Sequence, residues 1–142
     1  MALDDPRTKK IIIVDDDQSQ LDIVEHMLRK EGFKVLAALS AEDAKPKIET
    51  SNPDLVITDL VMPGMSGIEL VHHLQAEGLG SIPVIVVTGR DSKTTDTEQM
   101  IRMESNVVDF IRKPFHLTVF VMRVHQILKT IPISSSQPPA TS

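Results

Sequence analysis

The chain of 142 residues has no cysteine, no tryptophan and no tyrosine. The first absence removes disulfides and thiolate metal sites and fits a reducing cytoplasm. Four phenylalanines are the whole aromatic complement, so a fluorescence assay would need an added probe. No apolar run exceeds strand length, and the opening MALDDPRTKK has no apolar signal region. Neither a membrane span nor a secretory signal is expected, and the chain reads as soluble and cytoplasmic. Basic charge is also short: 15 Lys and Arg against 20 Asp and Glu leave a net charge of -5. The basic residues are scattered, with no stripe to neutralise successive phosphates, which argues against direct nucleic-acid binding by this segment. A hydrophobic content of 41% is enough for one core, the length suits one domain, and no internal repeat is visible.

What is present begins with Ile11-Ile12-Ile13-Val14-Asp15-Asp16-Asp17. The β-branched half reads as a strand buried on both faces. The acidic half starts where that strand ends, and two carboxylates about 5 Å apart repel by roughly 3 kcal/mol at an effective dielectric of 20. Such a cluster is a liability unless a cation belongs in it.

Apolar runs recur at residues 10 to 14, 33 to 37, 54 to 58, 82 to 87 and 107 to 111, each followed by a helical pattern. After the first, Leu21, Val24 and Leu28 follow three-four spacing, and Gly32 stands where a left-handed C-terminal residue belongs. After the third, Ser66-Gly67-Ile68-Glu69 fits a capping box. The last helix carries Leu117, Phe120, Val121, Val124, Ile127 and Leu128 on one face. Strands alternating with helices imply right-handed βαβ units, hence a doubly wound α/β domain with helices on both faces of a parallel sheet. Ser40 can cap the second helix through Asp43, but Pro46 near its sixth position costs about 3 kcal/mol in a straight helix, so a kink or a shortened helix is expected. Residues 89 to 106 are longer and more polar than the other connections. Residues 1 to 8 read as an arm, 9 to 130 as the domain, and the Ser/Pro-rich 131 to 142 as a tail or linker.

Ligands of an open parallel sheet bind outside the carboxyl ends of its strands. Here those ends carry Asp15-Asp16-Asp17, Thr58-Asp59, Thr88-Gly89 and Arg112-Lys113-Pro114. An all-oxygen site that leaves room for water and phosphate suits Mg²⁺. A cation, a hydroxyl and a lysine around a further carboxylate are what phosphoryl transfer to that carboxylate requires.

At this point the chain resembles the receiver domains of two-component response regulators, through VDDD at 14 to 17, ITDLVMPGMSG at 57 to 67, VVTG at 86 to 89 and DFIRKPF at 109 to 115. The resemblance implies a flavodoxin-like sheet of order 2-1-3-4-5 with five helices on two faces. It implies Asp59 as phosphoacceptor, and Mg²⁺ held by Asp15, Asp16, Asp59 and the backbone carbonyl of Val61. Thr88 and Lys113 would hold phosphoryl oxygens, the Lys113-Pro114 bond would be cis, and Thr88 and Phe110 would form the switch. The implied partner is a histidine kinase or phosphotransfer protein. A dimer or effector domain would read the face of helix 4, strand 5 and helix 5, after Thr88 moves inward and Phe110 fills the space it leaves. The chain would be a signalling domain, not an enzyme in its own right, although it assists transfer to and hydrolysis from Asp59. Three features depart from the family pattern: a longer Thr88 to Phe110 segment, Glu104-Ser105-Asn106 where a glycine commonly stands, and Pro46.

Other readings compete. Asp15-Asp16-Asp17-Gln18-Ser19 also scans as the D-x-D-x-S of haloacid-dehalogenase phosphatases, which would make Asp15 the nucleophile. That reading leaves Asp59 and MPGMSG unexplained, and the chain is short for a cap domain. A receiver used only for docking, without phosphorylation, is the other alternative. Asp17 is expected to cap a helix or support the site from behind, Arg90 to cover the phosphate, and His72 and His73 to face solvent in different directions.

Overall fold

The computed structural model describes residues 3 to 89 and 95 to 132, the side chains of 95 to 98 excepted, so Arg90 and most of the Ser/Pro-rich tail lie outside the described residues. After a 3-10 turn at Pro6–Thr8 come β1 (Lys10–Val14), α1 (Gln18–Lys30), β2 (Lys34–Ala38), α2 (Ala41–Ser51) and β3 (Leu55–Asp59). There follow α3 (Gly67–Ala76), β4 (Val84–Thr88), α4 (Thr95–Arg102), β5 (Val107–Arg112) and α5 (Leu117–Leu128). The sheet is parallel throughout, in the order β2-β1-β3-β4-β5. The winding direction reverses between β1 and β3, so the crevice of the doubly wound fold opens between their carboxyl ends.

Side-chain alternation divides the core into two layers. Ile12, Val14, Val56, Val84 and Val86 pack under α2, α3 and α4 with Ile48, Leu70, Leu74 and Ile101. Ile11, Ile13, Leu55, Ile57 and Ile85 pack under α1 and α5 with Leu28, Phe120 and Val124. The unbroken Ile-Ile-Ile-Val run is therefore required because both faces of β1 are covered.

Capping sets the element boundaries. Asp17 precedes α1 and accepts from the N–H groups of Ser19 at 2.9 Å and Gln20 at 3.3 Å. The helix ends with Gly32 N–H donating to the Arg29 carbonyl at 2.9 Å and Phe33 N–H to that of Leu28 at 3.2 Å, a Schellman pattern with Gly32 at φ 102°. Phe33 is thus the residue that packs back on Leu28, which is why β2 starts at Lys34, one residue later than the apolar run. Ser40 accepts from Asp43 N–H at 3.0 Å, and the Ser66–Glu69 capping box is complete.

Pro46 does not shorten α2, which runs from Ala41 to Ser51. The proline removes one helical donor, but Ala41, Ala44 and Ile48 are fully buried against the sheet and hold both halves in place. Asn106, where a glycine was the familiar residue, is buried before β5. Its side chain accepts from Gln75 Nε2 at 2.7 Å and donates to the Val71 carbonyl at 3.3 Å, tying β5 to α3.

Candidate functional site

Because β1 ends at Val14 and β3 at Asp59, their last carboxylates meet at the rim of the crevice. Asp15 is fixed by its backbone, whose N–H donates to the Ala38 carbonyl at 3.1 Å, and by Oδ1, which accepts from Asp17 N–H at 2.9 Å. Asp59 Oδ1 accepts from Leu60 N–H at 3.0 Å. Asp15, Asp16 and Asp59 each place one carboxylate oxygen within 4.8 Å of the others. Asp15 is buried, Asp59 half-buried and Asp16 exposed, so the cluster has a sealed floor and an open mouth.

Lys113 comes from the far side of the sheet. Its backbone N–H donates to the Thr88 carbonyl at 2.8 Å, and its peptide bond to Pro114 is cis. Its Nζ lies 3.3 Å from Asp15 Oδ2 and 3.5 Å from Asp59 Oδ2. Thr88 is fully buried, and among the described residues its hydroxyl makes one long 3.5 Å contact, with the Gly89 carbonyl. Behind Asp59, the first residue of α3 approaches so closely that a Cβ on Gly67 would lie 2.3 Å from the Asp59 carbonyl oxygen. The glycine that closes MPGMSG is thus required by the backbone that carries Asp59.

The electrostatics follow from this packing. Burial, reinforced by the Asp15 carboxylate, raises Asp59 to about 6, although Lys113 and the Leu60 N–H pull the other way. Burial alone would lower Lys113, but the Asp59 and Asp15 carboxylates carry it above the ordinary lysine value. Among the described residues, three carboxylates converge and the Lys113 ammonium reaches two of them, and every carboxylate donor atom is a hard oxygen. This donor set fits Mg²⁺.

The remaining sequence-predicted residues fall as follows. Val61, two residues after Asp59, is 66% exposed. Phe110 is already only 6% exposed, with the Arg102 guanidinium 4.8 Å over its ring, so the ring needs no inward swing to become buried. His72 and His73 point apart, toward Glu104 at 3.3 Å and Glu49 at 3.4 Å, but His73 is half-buried where solvent exposure was expected. The Asp15–Ser19 segment serves as the capped entry to α1, with the Ser19 N–H engaged by Asp17.

A group that the sequence reading passed over lies in α5. His125 is buried, with Nε2 2.8 Å from Glu31 Oε1 and Nδ1 2.7 Å from Thr130 Oγ1. A polar residue inside the apolar stripe of α5 was the available signal.

Comparison with known proteins agrees with this geometry. The family model described as the response regulator receiver domain matches residues 11–125. The sensory transduction protein RegX3 of Mycolicibacterium smegmatis is 34% identical over 119 residues, 84% of this chain and 50% of that protein. The alkaline phosphatase synthesis transcriptional regulatory protein PhoP of Bacillus subtilis is 31% identical over 127 residues, 89% of this chain and 51% of that one. The chain thus spans about half the length of these relatives. Among solved structures, a CheY-like receiver domain protein from Methanospirillum hungatei superposes with a TM-score of 0.75 at 29% identity, covering 84% of this chain and 93% of that one. The signal receiver domain of a histidine kinase from Syntrophus aciditrophicus gives 0.75 at 28% identity over 93% and 98%. With the strand order, the acidic rim and the matched residues in agreement, the chain belongs to the receiver domains of two-component response regulators.

Proposed function

We propose that the domain accepts a phosphoryl group on Asp59 from a histidine kinase or phosphotransfer protein, in a Mg²⁺-dependent reaction in the cytoplasm. The observation that carries this reading is the convergence of the Asp15, Asp16 and Asp59 oxygens within 4.8 Å, with Lys113 Nζ in reach of two of them. A carboxylate oxygen of Asp59 attacks phosphorus, the new O–P bond forms, and the bond from phosphorus to the donor's nitrogen breaks. Magnesium, held by Asp15, Asp16, Asp59 and the Val61 carbonyl, would supply neutralisation of the phosphoryl oxygens. Lys113 stabilises the same developing charge from the other side, and the Thr88 hydroxyl, which among the described residues makes a long contact with the Gly89 carbonyl, is available to donate to a phosphoryl oxygen. A cavity of about 540 Å³, lined in part by Gln20, Ile23, Gly89 and Leu117, opens beside this rim and gives a partner's side chain access.

Donation by Thr88 to the phosphoryl group would draw it from its present position and alter the packing around β4. Phe110 and Arg102 connect that region to the surface of α4, β5 and α5, where a dimer partner or effector would read the change. Because Phe110 has no hydroxyl and is buried already, the shift is one of packing around a seated ring. The test is phosphorylation by acetyl phosphate, with borohydride trapping and mass spectrometry. Label on Asp59 that requires Mg²⁺ supports the reading. Label on Asp15 favours the phosphatase alternative, and no label favours a docking-only domain.

A further inference from the structure

The loop of residues 60 to 66 joins Asp59 to α3 and contains Val61. Its ends are fixed, because Leu60 N–H donates to the Val87 carbonyl at 2.7 Å and Gly67 N–H to the Leu60 carbonyl at 2.9 Å. Its middle is anchored by Met62, which is buried. The half that returns toward α3 is held from another element: Met65 N–H donates to Glu42 Oε2 at 3.0 Å, across 23 residues of sequence. Glu42 lies in the first turn of α2. Gly64 stands at φ +77°, and a Cβ there would fall 2.7 Å from the same carboxylate oxygen. The loop and the carboxylate therefore share one closely fitted contact. Hydrogen bonds from its own N–H and from Met65 N–H hold the Glu42 carboxyl below the usual glutamate value.

We infer that Glu42 is a positioning residue for the metal site: it holds the loop after Asp59 in the shape that keeps Val61 beside the acidic rim. Glu42 belongs neither to the acidic cluster nor to the phosphoryl-binding set, and it acts through the backbone of the loop. The inference rests on the Mg²⁺ reading above. Its distinguishing chemistry is that the loop needs an acceptor at this position and does not need a charge. A Gln side chain keeps the acceptor oxygen, whereas an Ala side chain does not.

The test is Mg²⁺ titration of the chain and of Glu42→Gln and Glu42→Ala, followed by amide NMR. Hydrogen exchange at Met65 and thermal melts in EDTA are measured on the same samples. Loss of one net hydrogen bond corresponds to about a 3- to 10-fold change in an equilibrium constant. Glu42→Ala should bind Mg²⁺ more weakly by about that factor, with faster Met65 exchange, whereas Glu42→Gln should stay within about twofold of the unaltered chain. In EDTA all three should unfold cooperatively, with Glu42→Ala lowered by no more than the loss of that one hydrogen bond. Equal affinity in all three overturns the inference and leaves the Mg²⁺ reading intact. Equal weakening in Gln and Ala also overturns it, because charge and not loop geometry would then be at work. Failure of the unaltered chain to bind Mg²⁺ overturns the underlying reading and the inference with it.

Discussion

The domain buries acidic groups at two opposite ends, and treats them in opposite ways. At the end where α1 and α5 finish, Glu31 and His125 have side chains 5% and 2% exposed and lie 2.8 Å apart. The other ring nitrogen meets Thr130, and the Phe33 ring packs 4.9 Å from the imidazole. One acid has one matched partner, and each polar atom of the ring is engaged. At the rim, among the described residues, Asp15, Asp16 and Asp59 converge while Lys113 reaches only Asp15 and Asp59, at looser distances of 3.3 and 3.5 Å. A matched buried pair is part of the scaffold. An excess of carboxylate with too little positive charge is unfavourable until something cationic arrives, and that separates a site from a support.

The largest effect should come from breaking the matched pair. His125→Ala removes a buried ring and leaves the buried Glu31 carboxyl without its hydrogen-bond partner, a cavity cost added to a desolvation cost that together come to about 3–5 kcal/mol. Urea denaturation should show the midpoint falling accordingly. Removing a charge at the rim should have the opposite sign. If His125→Ala and Asp59→Asn both destabilised the metal-free domain by similar amounts, the distinction between the two ends would fail.

The two ends also differed in how visible they were in the sequence. The rim was legible because each of its residues ends or directly follows a strand, and strand ends of a doubly wound sheet converge by topology: Asp15, Asp59, Thr88 and Lys113 could be placed at one rim from order alone. The caps at Ser40 and Ser66 were legible because their partners lie three residues away. The His125–Glu31 pair joins residues 94 positions apart and depends on how α1 and α5 pack, which no local pattern states. The same holds for the tie between Asp4 and Thr130, for Asn106 reaching α3, and for Glu42 reaching the loop. Pro46 does not shorten α2, because burial of Ala41, Ala44 and Ile48 against the sheet outweighs a local helix-breaking preference.

Adding Mg²⁺ should sharpen the contrast next. At a hundredfold excess over its dissociation constant, linkage gives about 2.7 kcal/mol of stabilisation, read as a rise in melting temperature. Asp16→Asn should lose most of that rise, while a conservative change at Thr130 should keep it. An unchanged Mg²⁺ dependence in Asp16→Asn would remove Asp16 from the metal site.

A smaller effect concerns pH without metal. Asp59 sits at about 6 in the folded chain, above the ordinary value of 3.8, so the folded state binds the proton more tightly than the unfolded state. Its contribution to stability is therefore full below about pH 4 and is lost as pH rises through about 6. After discounting for screening at the open mouth, the loss is on the order of 1–2 kcal/mol. In EDTA, the stability difference between Asp59→Asn and the unaltered chain should grow in favour of the variant over that window. A flat difference between pH 4 and 7 would show that the rim carries no such strain. If Asp59 holds Mg²⁺ as proposed, protons and the metal compete for the same carboxylate, and apparent Mg²⁺ affinity should fall as pH drops through about 6.

The smallest expected effect bears on how open the rim is once Asp59 carries a phosphoryl group. Val61, two residues after Asp59, is 66% exposed and has no polar side-chain atom, and a Cβ on Gly89 would meet nothing within 4 Å. Water can reach this side, but neither side chain can orient it for attack on phosphorus. Orientation of the nucleophile lowers a barrier only if a group holds it in line, so Val61→Asn should hasten loss of the phosphoryl group by about threefold, under ~1 kcal/mol of barrier. The measurement is the decay of the acyl phosphate after removal of acetyl phosphate, with Mg²⁺ held constant. Because the substitution leaves the Val61 backbone carbonyl in place, Mg²⁺ affinity should stay level and separate the two roles of this residue. Decay in the variant that is equal or slower would mean that water reaches phosphorus by another side, and that the exposed mouth is not what limits the lifetime.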